Sequence, residues 1–374
     1  MSVVIDQEIA VPFVDFKKRY ATYRDEILSV VDEVFSSGNY ILGPYVEELE
    51  NSVSRYLNCP YVLGVSDGTN ALILALKALE IGVGDEVIVP VNSFVASAGA
   101  VVAVGATPVF CDVSDDLNID VLQIEKHITK QTKAIMPVHL TGKPANMSAV
   151  LEIAKKNNLF VIEDAAQSIG AKYQNQMTGT IGDIGCFSLH PLKNLYAYGD
   201  AGLVVTKNKS LYEKIKLMRN HGLQDRDICA QWGLNTRIDA VQAKIVSLGL
   251  KYLDQWNAAR RKTAAYYQAE LSNVVRVSQE SDDTFSVYHN FVILTEKRDA
   301  LMSFLKSQNI DTRVHYPIPL HLQPAAKSLG YKMNDFPNAE KLAKEMLSLP
   351  VYAELQERAV NYVASCTADF FSGK

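Results

Sequence analysis

Cysteine is scarce here and shows no pattern. The five in 374 residues (Cys59, Cys111, Cys186, Cys229 and Cys366) are odd in number and widely spaced, so neither a disulfide framework nor a CxxC metal site is expected. No Lys/Arg run exceeds three residues, and 37 basic against 42 acidic side chains leave a net charge of −5. Nucleic acid and an anionic membrane surface, which recruit basic stripes, are therefore not expected partners. No apolar run approaches the roughly 18 residues of a membrane span, and the first residues lack the order of a signal peptide. A reducing, cytoplasmic location is the expectation. Also missing are GxGxxG, Walker A and HExxH; Gly179, Gly182 and Gly185 are spaced GxxGxxG, which misses the dinucleotide fingerprint. A dinucleotide-dependent oxidoreductase thus lacks support, and no metal is expected.

What is present is an ordinary globular balance, 48% apolar and 21% charged, in a chain longer than the roughly 250 to 300 residues at which a single core stops growing. Short apolar runs recur at Tyr61–Val65, Asp85–Val91, Thr107–Val113, Thr132–Val138, Leu159–Asp164, Asp183–Leu189 and Gly202–Thr206. They do not alternate, as expected of strands covered by helices on both faces. Helical patterns lie between them, including Asn70–Glu80 and Ala145–Asn157, the latter entered through Asn146 as an N-cap. This predicts a mostly parallel sheet in a three-layer α/β domain, with ligands at the strand C-terminal ends. Ile238–Leu271 reads as one long or kinked helix; beyond it Phe285, Val287, Phe291 and Ile293 alternate like a half-buried antiparallel strand, and Asp299–Ser307 and Asn338–Ser348 read as amphipathic helices. The expected organisation is an N-terminal arm over 1–20, with a helix at Tyr23–Phe35 following it, a large domain over 21–250, and a connecting helix plus small α+β domain over 251–374.

Three segments could carry chemistry. Val65-Ser66-Asp67-Gly68-Thr69-Asn70 ends a strand and opens a helix, where free N–H groups and a hydroxyl can hold a phosphate, or where the turn is a plain cap. Asp67 beside a phosphate would repel it unless the side chain turns away to cap the helix, which is the expectation. Glu163-Asp164-Ala165-Ala166-Gln167 places a carboxylate at a strand end, able to neutralise a ligand cation or merely cap the following helix, with Glu163 pointing to the opposite side. Lys193, in His190-Pro191-Leu192-Lys193-Asn194, is either a surface lysine or a desolvated nucleophilic amine. Together, a phosphate turn, a strand-end acid and a lysine 29 residues beyond it are what pyridoxal phosphate (PLP) needs.

With these motifs in order, together with Ser37–Pro44, Gly82–Pro90, Pro137–Gly142, Arg219–Gly222, Gly233–Gln242 and His315–Gln323, the chain resembles the DegT/DnrJ/EryC1/StrS sugar aminotransferases. The resemblance implies the PLP-transferase fold of type I, the aspartate aminotransferase type. It also implies transfer of an amino group from L-glutamate to a nucleotide-linked keto sugar in amino-sugar biosynthesis, with pyridoxamine phosphate as the amino-carrying form. Lys193 would bind the cofactor as a Schiff base and move protons, and Asp164 would hold the ring nitrogen protonated. Gln167 would lie by the ring oxygen, Phe94 would stack on the ring, and Gly68, Thr69 and Ser188 would bind phosphate. Asn235 would reach that phosphate from the other subunit of a homodimer with shared sites, and Arg237 of the same loop would place an anionic group of the donor or sugar nucleotide. His190, His315, Tyr316 and His321 would line the sugar pocket. Relatives that remove a sugar hydroxyl carry His in place of Lys193, so lysine favours transamination. The His315–Gln323 segment resembles the version in enzymes of 3-keto sugars, UDP- or dTDP-linked, more than that of the 4-keto enzymes, which are the alternative. A PLP-dependent sugar dehydratase and a non-catalytic sensor stand further back.

Overall fold

The computed structural model describes residues 9–373. Most of the expected arm, residues 1–8, lies outside the described residues; the chain is tied down soon afterwards, because Val11 exchanges backbone hydrogen bonds with Asn309 and Asp311. The first helix runs Phe16–Ser37, seven residues ahead of its expected start, since the Asp15 carboxylate accepts the Lys18 N–H (2.9 Å) and fixes the N-terminus there.

Strands β1 (Tyr61–Val65), β2 (Glu86–Pro90), β3 (Thr107–Cys111), β4 (Thr132–Ile135), β5 (Phe160–Asp164), β8 (Ile184–Ser188) and β9 (Gly202–Thr206) form the main sheet; the two-residue strands β6 (Lys172–Tyr173) and β7 (Gln176–Met177) make a hairpin beside it. The order is β1-β9-β8-β5-β4-β2-β3. From β8 to β3 every pairing is parallel, and β9 alone runs against both of its neighbours. Unalternating apolar strands arise because both faces are covered. Val87 and Val89 pack with the helices Gly68–Ala78 and Val95–Ala103, whereas Ile88 between them packs with the helix Met147–Asn157. Toward β1 and β9 that second face is covered by the helices Pro44–Leu57 and Ala240–Leu250. Three layers result.

The segment Ile238–Leu271 is two helices, Ala240–Leu250 and Leu253–Leu271, parted at Lys251–Tyr252 where Tyr252 N–H returns to Gly249 O (2.9 Å). A second, three-stranded sheet of β10 (Arg276–Val277), β12 (Phe291–Leu294) and β13 (Met346–Leu349) lies in the C-terminal part expected as, and hereafter called, the small domain. Here the expected alternation over Phe285–Ile293 is corrected. Phe285 belongs to β11 (Thr284–Phe285), which pairs with β6, and all four residues of β12 are buried. Phe291 and Ile293 enter one apolar cluster while Val292 and Leu294 enter another, so this central strand has no wet face. The helix expected over Asn338–Ser348 ends at Glu345, because Met346–Leu349 is taken by pairing with β12. Its start is set from the other domain: the Asp112 carboxylate, just past β3, accepts the N–H groups of Asn338 (3.0 Å) and Ala339 (2.9 Å). Among the described residues no helix is long and apolar enough to cross a membrane, and no group of three His, Cys, Asp or Glu could hold a metal.

Candidate active site

A cavity of about 320 Å³ opens where β1, β2, β4, β5 and β8 end, the crevice position of an open α/β sheet. Strand alternation sends the two acids of β5 to opposite sides of the sheet. Glu163 is fully buried below, where it accepts from Gly179 N–H (2.7 Å), Ile181 N–H (2.7 Å), Gly182 N–H (2.6 Å) and His139 Nε2 (2.8 Å). His139 Nδ1 accepts the Ala145 N–H, so its proton sits on Nε2 and donates to Glu163. Asp164 faces the cavity, with Ser97 O–H (2.7 Å) and Ala166 N–H (3.2 Å) as donors and no ion pair among the described residues. Burial pushes its carboxyl above the usual carboxylate range, against the pull of Ser97, Ala166 and the Lys193 charge. It is an acid prepared for a cation.

Lys193 sits across the cavity on a turn closed by Lys193 N–H to His190 O (2.8 Å) and held from outside by Arg19, whose guanidinium donates to Pro191 O (2.8 Å). Its amine makes no hydrogen bond among the described residues. Burial lowers it to about 8, with Asp164 pulling the other way, so near neutral pH a useful fraction is unprotonated.

Gly68 and Thr69 open the helix Gly68–Ala78, and their N–H groups have no partner among the described residues. Asp67 turns away as expected, its carboxylate accepting the N–H and side-chain amide of Asn70 (2.8 and 2.6 Å). A Cβ on Gly68 would come within 2.8 Å of the Ser188 Cβ, so only glycine lets the helix start and Ser188 stand this close. The result is two free amides and a hydroxyl at a helix N-terminus, a ready anion cradle. Gly64–Gly68 also spells GxSxG, the form of a hydrolase nucleophile turn. Ser66 Oγ is engaged with Asp67, Asn70 and Thr236, and no imidazole bonds it.

At the mouth, the Phe94 ring is 54% exposed and lies 5.8 Å from that of Tyr316. Gln167 is buried and spans the wall, its amide donating to Tyr316 Oη (3.3 Å) while its carbonyl accepts Thr141 N–H (2.8 Å). His315 Nδ1 lies 2.9 Å from Ser348 Oγ; burial and the Lys193 and Arg313 charges lower it to about 4. His190, at the rim near Asp200, accepts Leu192 N–H on Nδ1 (3.2 Å) and is lowered by burial.

Ten of the thirteen expected residues thus meet in one cavity. His321 does not: it is buried in the small domain against the Phe336 ring (4.8 Å) with Nε2 on Glu340 (3.0 Å), so the sugar-pocket expectation gives way to a packing role. Asn235 and Arg237 lie outside the cavity of their own chain, Arg237 donating to Asn220 Oδ1 (2.9 Å). Sequence reasoning missed Ser97, Asn194 and His289. A second hydroxyl four residues after Ser93, in the first turn of the helix Val95–Ala103, was the available signal for Ser97; His289 comes in from the small-domain side and had none. A wider groove of about 570 Å³ beside Tyr56, Asp254 and Arg261 is a weaker candidate, these three side chains being paired already.

The sequence profile of the DegT/DnrJ/EryC1/StrS aminotransferase family matches residues 21–368. Among individual proteins, the chain is 43% identical to a pleiotropic regulatory protein of Geobacillus stearothermophilus (96% of this chain, 98% of the relative). It is 41% identical to the UDP-N-acetyl-3-dehydro-alpha-D-glucosamine 3-aminotransferase of Acidithiobacillus ferrooxidans (96% and 97%). It is 40% identical to the dTDP-3-amino-3,4,6-trideoxy-alpha-D-glucose transaminase of Streptomyces venezuelae (92% of each). The crystal structure of S. venezuelae DesV in complex with a ketimine intermediate superposes with a TM-score of 0.95 at 39% identity, over 96% of this chain and 98% of that one.

Proposed function

The chain belongs to the DegT/DnrJ/EryC1/StrS aminotransferase family, and on that premise we propose that it moves the amino group of L-glutamate onto the keto carbon of a UDP- or dTDP-linked 3-keto sugar. PLP is the family's cofactor; when bound, it supplies an aldehyde that takes up amines and a ring that accepts electrons from a breaking bond to carbon. The observation that carries the reading is the meeting, in one cavity, of a buried acid without a cation, a lysine lowered to about 8, and an anion cradle beside the Ser188 hydroxyl. These are the complements of a pyridine nitrogen, an aldehyde and a phosphate. The names of the Streptomyces and Acidithiobacillus relatives support amination at carbon 3.

Each residue then has a role. Asp164 holds a proton on the ring nitrogen, its carboxylate kept in place by Ser97 and Ala166. Gly68, Thr69 and Ser188 hold the phosphate, Phe94 covers one ring face, and Gln167 flanks the ring oxygen. Lys193 Nζ would be the amine that holds the aldehyde and, when free, the group that holds and moves a proton at the substrate carbon. His190, His315 and Tyr316 shape the sugar side. Asn235 and Arg237, turned away from their own cavity, serve the site of a partner subunit in a homodimer. A cytoplasmic location goes with nucleotide-sugar substrates. The Geobacillus relative's name favours a second reading, a regulator that binds without turnover; Lys193 and Asp164 both standing in the cavity speak for turnover.

The test tracks the cofactor's visible absorbance in purified protein. L-glutamate should abolish it, and a 3-keto sugar nucleotide should restore it with release of amino sugar. Restoration by 4-keto sugars alone would keep the chemistry and overturn the regiochemistry, whereas indifference to every donor and acceptor would favour the regulator.

A further inference from the structure

His289 lines the cavity from the small-domain side, and a chain of amides fixes its ring. Asn194, next in sequence to Lys193, spends both side-chain N–H bonds, one on Val287 O (2.9 Å) and one on Asn257 Oδ1 (2.8 Å). Asn257 donates its own N–H to Ile169 O (3.2 Å), which settles that its oxygen is the acceptor toward Asn194. The atom Asn194 turns to His289 is therefore a carbonyl oxygen, 3.2 Å from Nδ1, and an oxygen there demands that Nδ1 carry the proton and donate. Nε2, across the ring, is left with a lone pair, and no hydrogen bond among the described residues reaches it. The backbone is held as well, since Arg260 donates to the carbonyls of both Tyr288 and His289 (3.3 Å each). Burial and the charges of Lys193, Arg260, His315 and Arg19 keep the ring from taking a second proton.

We infer that His289 is a positioning residue for Lys193: its Nε2, unbonded among the described residues as the lysine amine is, is the acceptor toward which that amine turns when the cofactor releases it. The inference rests on Lys193 being the reacting amine. A freed lysine on a flexible stem has several directions open to it, and a fixed acceptor in the cavity wall selects one. The same Asn194 that locks the imidazole is covalently joined to Lys193, so acceptor and amine are registered to each other through one side chain. The other titratable groups lining the cavity with the amine are Asp164 from β5, Asp67 at the start of the helix Gly68–Ala78, His190 and Asp200 flanking the lysine turn, and His315 and Tyr316 from the segment before the helix Leu320–Leu322.

Two measurements on the full chain stripped of cofactor test this. In protein carrying 15N-labelled histidine, His289 should be a neutral ring protonated on Nδ1 from pH 5 to 8; an Nε2–H or doubly protonated ring overturns the inference. Competitive acylation of Lys193, quantified by peptide mass spectrometry, should rise through about pH 8 in the wild type. In His289→Phe the ammonium loses an acceptor, so the midpoint should fall by about one unit, and His289→Gln, which keeps an acceptor at the same reach, should restore it. An unmoved midpoint in His289→Phe overturns the inference. Loss of cofactor binding in Lys193→Ala reports on the aminotransferase reading separately and does not enter either measurement.

Discussion

Glu163 receives four hydrogen-bond donors; Asp164, the next residue in the same strand, receives two and looks into a cavity. Both are buried, both are acids, and they sit on opposite faces of one sheet. Below, the Gly179–Gly182 turn wraps the Glu163 carboxylate with amides, and His139 completes the shell. That turn tolerates no side chain at Gly179, where φ is +79° and a Cβ would fall 2.3 Å from the Phe187 ring. The Gly179–Gly182 part of the GxxGxxG spacing, which misses the dinucleotide fingerprint in sequence, serves an internal carboxylate. Above, the fold stops short of satisfying Asp164 and leaves room for a cation to do so. A saturated acid holds structure; an unsaturated one is available for chemistry.

The comparison breaks first if the cavity side proves chemically idle. Lys193→Ala should lose turnover by about 10⁴-fold or more and lose the cofactor's visible band, with the thermal midpoint little changed. Retained band and activity would remove the central assignment. Asp164→Asn should reduce kcat by about 10² to 10⁴, and cofactor-free protein should melt no lower than wild type, because a buried acid without a cation has been replaced by a neutral amide. Glu163→Ala should do the reverse, destabilising by about 3–5 kcal/mol as three amides and an imidazole lose their acceptor. Denaturant titration of both variants distinguishes them, and equal stability losses would erase the distinction between the two faces.

Smaller effects sharpen the same contrast. His315, lowered to about 4 in the fold, takes up its proton on unfolding at any pH between there and the ordinary value near 6.5. The unfolded chain binds more protons, so stability rises with pH across this window and is lost as pH falls toward 4. His315→Gln should flatten that slope, by about 1–3 kcal/mol between pH 6.5 and 4; an unchanged slope would mean the ring is solvated. Asp67 is a third strand-end acid, spent on a helix cap. Asp67→Ala should cost about 1 kcal/mol in a melt and leave phosphate affinity unweakened.

Much of this was legible in the sequence because it obeys local rules. Unalternating strands announced a sheet covered twice, the adjacency of Glu163 and Asp164 put them on opposite faces, and the turn after β1 placed Asp67 as a cap. What escaped depends on partners far along the chain. Residues 346–348 continue a helical pattern yet are drawn into a sheet by β12, and Asn194 and His289 meet 95 residues apart. Phe285 fits an alternating run but pairs with a hairpin of the large domain. His321 sits in a motif-rich segment and still turns into the core, since an imidazole with a carboxylate partner at Glu340 has a buried place to go.

The cap that Asp112 provides to the helix at Asn338 bears on modularity. A secondary-structure element of the small domain is begun by a carboxylate that the large domain supplies across more than 200 residues of chain. Exchange of the small domain between relatives therefore carries a hidden requirement: the recipient must present an acid at the end of its third strand, or the grafted helix arrives without a start. Chimeras joined after the long helix should depend on this single position more closely than on overall similarity, and the two halves should not survive as separate polypeptides.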